Sequence, residues 1–175
     1  MNAVDKRGHA RHDNGIPRAY RQRILEAMAE SIAEVGYANT RVADVVRRAR
    51  TSKSKFYAEF DDREACLLAL LSETNDANLA AVAAAVDPAA AWQIQVRQAV
   101  LTWFDWAERR RHLTLSWIRD VPALSPAARS LQRDAMDRFV QLVRTLSDTA
   151  ELKAMGVSQI PHARAVLLIG GIREN

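Results

Sequence analysis

Apolar residues recur at intervals of three and four near the start of the chain: Ile24, Leu25, Met28, Ile32 and Val35 share a stripe, and Gly36 closes it. That period is α-helical, and Pro17 suits a first turn, so a helix is expected from about 17 to 35. Two much shorter segments follow. Thr40 is placed to cap a second helix whose Val42, Val45 and Val46 face inward while Arg41, Arg47 and Arg48 stay wet. A third helix begins near Ser52, and the DDRE run, with Asp61 and Glu64 three apart, is a capping-box-like opening for a long fourth. Trp92, Val96, Val100, Trp103 and Ala107 mark a later helix, and Leu131, Ala135, Phe139, Leu142, Val143 and Leu146 mark another. VPALSP (Val121 to Pro126) and the stretch from Gly156 to Pro161 read as breaks. With only six Gly and five Pro in 175 residues, a turn-rich β fold is disfavoured and the chain reads as all-α.

Charge divides the chain as the helices do. Residues 1–60 hold 12 basic against 7 acidic side chains, a net of +5, whereas residues 61–175 hold 13 against 14, a net of −1. Such asymmetry points to a basic module that meets a polyanion, DNA or a membrane surface, attached to a body that does not. The longest apolar stretches, such as Leu79 to Val86, fall well short of the roughly 20 residues of a membrane span. The polar start, MNAVDKRGHARHDNG, carries no export signal and reads as a disordered arm over residues 1–15. A single cysteine, Cys66, excludes an intramolecular disulfide and fits a reducing cytoplasm.

Two short helices joined by a tight turn and braced by a longer one make a helix-turn-helix, whose second short helix enters the DNA major groove. The stretch SKSKFYAEF fits that task. Lys53, Ser54 and Lys55 fall in the helix's first turn, Phe56 and Phe60 are four apart and turn inward, and Tyr57 faces elsewhere with its hydroxyl free for a phosphate. Arg63 projects from the start of the next helix.

The run IAEVGYANTRVADVVRRARTSKSKFYAEFDDREACLL, within Ile24 to Leu68, resembles the DNA-binding domain of the tetracycline-repressor (TetR) family: a helix ending in GY, a VADVV helix, SKSKFY, then Phe60 and Glu64 in an F-x-x-[KR]-E pattern. The resemblance implies an N-terminal three-helix helix-turn-helix domain over 16–60 and a C-terminal helical ligand-binding and dimerisation domain over 61–175. It places Lys53, Ser54 and Lys55 in the groove, with Ser52 beside them, and Thr40, Tyr57 and Arg63 on phosphates. Arg41 joins them from position alone. Arg50 stands where the family's inter-helix turn carries Gly; a left-handed Arg50 costs about 1 kcal/mol and adds a cation near DNA, and a turn of different construction is the alternative.

In the body no Gly-rich phosphate loop, paired-acid pattern or metal-ligand spacing is evident, and Cys66 falls on an apolar helix side, so neither enzyme activity nor a cofactor nor a metal is expected. Trp103, Phe104 and Trp106 are too close in sequence to share one face. The family resemblance implies a small hydrophobic effector, with Trp103, Phe104, Trp117, Met136 and Phe139 as candidate pocket residues. The segment ARAVLLIGGIREN resembles the start of a dimerisation helix, with Val166, Leu167, Ile169, Gly170 and Ile172 at the interface of a homodimer and a further helix expected beyond Asn175. The expected function is a ligand-responsive, cytoplasmic transcription regulator, a repressor that binds a palindromic double-stranded DNA operator as a dimer. The alternative is a helical protein-interaction module whose basic end only solubilises it; a cysteine enzyme would require Cys66 to be exposed with a lowered pKa.

Overall fold

A computed structural model describes residues 16–147, and every regular element among them is helical. In chain order these are α1 (Ile16–Val35), α2 (Val42–Arg48), α3 (Lys53–Glu59), α4 (Arg63–Ala85), α5 (Trp92–Arg109), α6 (Arg111–Arg119) and α7 (Pro126–Ser147), with short 3-10 turns at Tyr37–Asn39 and Val121–Ala123. The N-terminal arm, the Gly156 to Pro161 break and the dimer residues Val166, Leu167, Ile169, Gly170 and Ile172 lie outside the described residues.

The expected stripe of α1 is its buried face: Ile24, Leu25, Met28 and Ile32 are almost wholly enclosed, while Val35, at the last turn, stays exposed. Gly36 ends the helix with φ 76, the left-handed region that costs an L side chain most, and its N–H closes on Ile32 O at 2.9 Å. α2 does not start on a Thr40 cap. Thr40 is buried and its hydroxyl donates to Gly36 O at 2.9 Å, while Arg41 occupies the cap position without a side-chain bond. The turn after α2 is a Schellman motif, with Arg50 N–H on Arg47 O (3.2 Å) and Thr51 N–H on Val46 O (2.9 Å). Arg50 takes φ 50 there, the conformation expected of a residue standing in glycine's place. Ser52 caps α3 by accepting from Lys55 N–H at 3.2 Å. The cap of α4 is one residue later than the sequence suggested: Asp62, not Asp61, accepts from Ala65 N–H at 2.7 Å, and Glu64 reaches away to the start of α7, accepting from Ser125 N–H at 3.2 Å.

The core does not stop at the end of α3. Val45, Val46, Phe56, Phe60, Leu67, Leu70 and Leu71 join the α1 stripe, and the same cluster takes in Leu113 of α6, Val121 and Ala128 of α7. α4 packs against α1 on one side and against α5 and α7 on the other. A break at Arg110 separates α5 from α6 and was not visible in the sequence; Arg110 lies 4.0 Å over the Trp106 ring there. The middle of the stripe expected to bury α5 is turned outward instead. Val96, Val100 and Trp103 are exposed with Leu101 and Phe104, whereas Gln95 is the buried residue of that helix, its amide donating to Ala90 O at 2.8 Å.

Candidate nucleic-acid interface

α3 is seven residues long and is held by one of them, Phe56, and by its C-cap, Phe60. Phe56 is fully buried and Phe60 nearly so, their rings 5.7 Å apart, which leaves Lys53, Ser54, Lys55 and Tyr57 on the outside. Tyr57 is 53% exposed and packs edge-on against Phe56. Cations in a helix's first turn run against the backbone dipole, so the lysines there do not stabilise the helix. Such a local conflict is a mark of a functional surface.

The other expected residues divide into two groups. Arg41 and Arg50 are exposed, Arg50 at a cleft that Arg23, Glu26 and Glu30 of α1 also line. Arg47 pairs loosely with Asp44 at 3.4 Å. Thr40 and Arg63 turn inward. The Arg63 guanidinium donates to Thr40 O at 2.7 Å and Tyr37 O at 3.3 Å, and lies 4.3 Å over the Tyr37 ring. It bridges α4 to backbone carbonyls of the α1–α2 connection, one of which, Tyr37 O, also accepts from Thr40 N–H at 3.1 Å, and so fastens α4 to that connection. Burial raises the Tyr37 phenol pKa, with Arg63 opposing the rise. Arg48, expected to stay wet, instead pairs with Glu34 and, at 3.5 Å, with Glu30, and ties α2 to α1.

Two residues not anticipated from the sequence join the basic face. Tyr20 of α1 lies under the Lys55 ammonium, 3.9 Å from the ring centre, and under the Arg23 guanidinium at 4.5 Å. Lys55 chiefly, and Arg23 after it, hold the Tyr20 phenol pKa below its ordinary value. Their i, i+3 spacing was the one local signal for Tyr20 and Arg23.

Residues 24–70 match the family model described as bacterial regulatory proteins, tetR family. They are a tetR-family domain. The match begins at the buried face of α1 and ends within α4, so it covers the two short helices, Arg50 and the basic face except Tyr20 and Arg23. No curated protein gave a significant match to the chain. Among solved structures, the fatty acid degradation regulator FadR from Bacillus halodurans is 16% identical, with 97% of this chain and 83% of that one covered at a TM-score of 0.72. FadR from Bacillus subtilis, solved in complex with stearoyl-CoA, is 16% identical over 87% of this chain and 83% of its own, also at 0.72. A tetR-family regulatory protein from Rhodococcus RHA1 is 21% identical over 77% of this chain and 71% of its own, at 0.65. These likenesses extend the shared fold beyond the tetR-family domain into the body helices.

The five candidate pocket residues are not gathered together. Trp117 packs against the N-terminal core, Trp103 and Phe104 stand edge to face at 5.2 Å on the outward side of α5, and Met136 and Phe139 are half-buried on α7. Asn75 Nδ2, Asn78 Oδ1 and Trp92 Nε1 are buried without a hydrogen-bond partner. Cys66 is fully buried, and burial pushes its thiol up to about 12, so it is protonated at neutral pH. Among the described residues no three His, Cys, Asp or Glu side chains come together as metal ligands, and no helix is long and apolar enough to cross a membrane.

Proposed function

We propose that the chain is a DNA-binding transcription regulator that lays α3 in the major groove. The observation that carries this reading is the division of α3 and its C-cap into a buried Phe56 and Phe60 and an exposed Lys53, Ser54, Lys55 and Tyr57. A short helix anchored by two aromatic residues presents its basic side as a rigid body, which is what groove reading requires. Arg41 and Arg50 flank it as phosphate contacts, and Tyr57 adds a hydroxyl. Thr40 and Arg63 support the surface from behind.

The regulator acts in the cytoplasm as a homodimer and repressor on a palindromic operator. Its two reading heads fall about 34–36 Å apart, or a multiple of that, so as to meet successive major grooves. Val166, Leu167, Ile169, Gly170 and Ile172 supply the subunit contact. An apolar effector of small size sets the head separation through its differential affinity for two states. Support for an effector comes from the unpartnered polar atoms of Asn75, Asn78 and Trp92, since buried groups of that kind ordinarily find a partner, and from the fold shared with a regulator solved with stearoyl-CoA.

The test is fluorescence anisotropy on fragments selected by the protein from genomic DNA. Lys53→Ala is expected to weaken binding by about 1–3 kcal/mol on the selected fragment, with wild-type affinity falling steeply as salt rises. Affinity unchanged in Lys53→Ala would remove α3 from the groove. Binding without salt dependence would favour a protein-interaction module instead.

A further inference from the structure

Lys53 and Lys55 are two residues apart on α3 and therefore point to different sides of it. Lys55 is drawn back to the seam with α1, where its ammonium lies over the Tyr20 ring at 3.9 Å; Arg23 lies over the same ring at 4.5 Å. Lys53 has no ring or carboxylate partner among the described residues. Two cations therefore share one small aromatic plate, and among the described residues neither is paired with a carboxylate. Elsewhere on the surface guanidinium groups do find acids, as Arg21 does with Glu73, Arg109 with Asp105 and Arg138 with Asp76. Two unneutralised cations gathered at one ring raise the local positive potential, which a nearby anion relieves.

Resting on the DNA-binding reading above, we propose that Tyr20 is a positioning residue whose ring seats Lys55 beside Arg23 as a two-cation clamp for one backbone phosphate, leaving Lys53 as the base-reading lysine. A lysine side chain loses substantial rotamer freedom when it is fixed on a ligand. The ring holds Lys55 near its working position before DNA arrives, so less of that loss falls on binding. The seam position also suits a phosphate, because α1 lies outside the groove when α3 is in it. The lowered phenol pKa of Tyr20 agrees with two cations held at its ring.

The experiment uses the full chain and a mixed-sequence duplex of about 30 base pairs, which offers phosphates without an operator, alongside the selected genomic fragment. Tyr20→Leu is expected to weaken binding to both DNAs alike, by about two- to five-fold, whereas Tyr20→Phe, which keeps the ring, stays within two-fold of wild type. Lys55→Ala lowers the slope of log affinity against log salt by about 0.9. In the Lys55→Ala background, Tyr20→Leu adds no further loss. Lys53→Ala, by contrast, costs much more on the selected fragment than on the mixed duplex. The clamp is overturned if Tyr20→Leu binds like wild type, if Tyr20→Phe is as damaging as Tyr20→Leu, or if Tyr20→Leu costs the same with and without Lys55. Arg23→Gln gives an independent arm should Tyr20→Leu melt early: a salt slope unchanged in Arg23→Gln also sinks the clamp. Wild-type protein that fails to bind either duplex overturns the DNA-binding reading itself, whereas wild-type binding that ignores Tyr20 and Lys55 overturns only the clamp.

Discussion

Phe56 and Phe104 are the same residue type on two helices of one chain, and the first is fully buried while the second is 56% exposed. Around Phe56 the apolar residues of α1, α2, α3 and the first half of α4 close on each other. Around Phe104 the large apolar residues Val96, Val100, Leu101 and Trp103 of α5 are exposed, and the buried position of that helix is held by Gln95. The contrast separates two uses of hydrophobic periodicity. In the reading head it builds a core that fixes the angle of a basic helix. On α5 it builds a surface, and the described residues supply nothing to cover it.

The widest difference is expected from truncating the buried ring. Phe56→Ala removes the anchor of α3 and should cost about 3–5 kcal/mol in urea unfolding, with DNA binding lost in parallel. A cost under about 1 kcal/mol would mean that α3 is held by something other than its core. An intermediate effect is expected at the fastening of α4: Arg63→Met keeps the length and the contact with Tyr37 but abandons the carbonyls of Tyr37 and Thr40, a loss of about 1.5–3 kcal/mol by the same measurement. If Arg63 were instead a free phosphate contact, stability would be unchanged and the salt slope of DNA binding would fall. The smallest effect belongs to the open face. Phe104→Ser should alter unfolding free energy by no more than about 0.5 kcal/mol. A loss near that of Phe56→Ala would erase the contrast and show that the outward side of α5 is covered in the full chain.

What could be read from the sequence was what the chain decides locally. A third helix starting near Ser52 and Phe56 and Phe60 as an inward pair at i, i+4 follow from backbone geometry within one or two turns, and both hold. Arg50 in a left-handed turn was one of two alternatives that the family resemblance raised, and it is the one the backbone takes. What escaped depended on partners distant in sequence or on a choice between neighbours. Arg63 finds carbonyls more than 20 residues away, and Lys55 finds a ring on α1. Either long side chain has solvent as an equal alternative until the fold is assembled. Asp61 and Asp62 are chemically identical caps one residue apart, and only the register of α4 chooses between them. A helical period on α5 announced a stripe but not which neighbour it meets. The bend at Arg110 carries neither Gly nor Pro to announce it.

The shared core has a consequence for recombination. A reading head transplanted onto another body by a cut after Phe60 would lose Leu67, Leu70 and Leu71 of α4, and even a cut at the end of the family match would leave holes where Leu113, Val121 and Ala128 close the cluster. The anchorage of Glu64 on Ser125 would be severed as well. A chimera would therefore work only when the recipient offers apolar side chains and a backbone N–H at matching places. The seam between head and body is a fitted joint, and that joint rather than linker length limits which bodies can inherit this head.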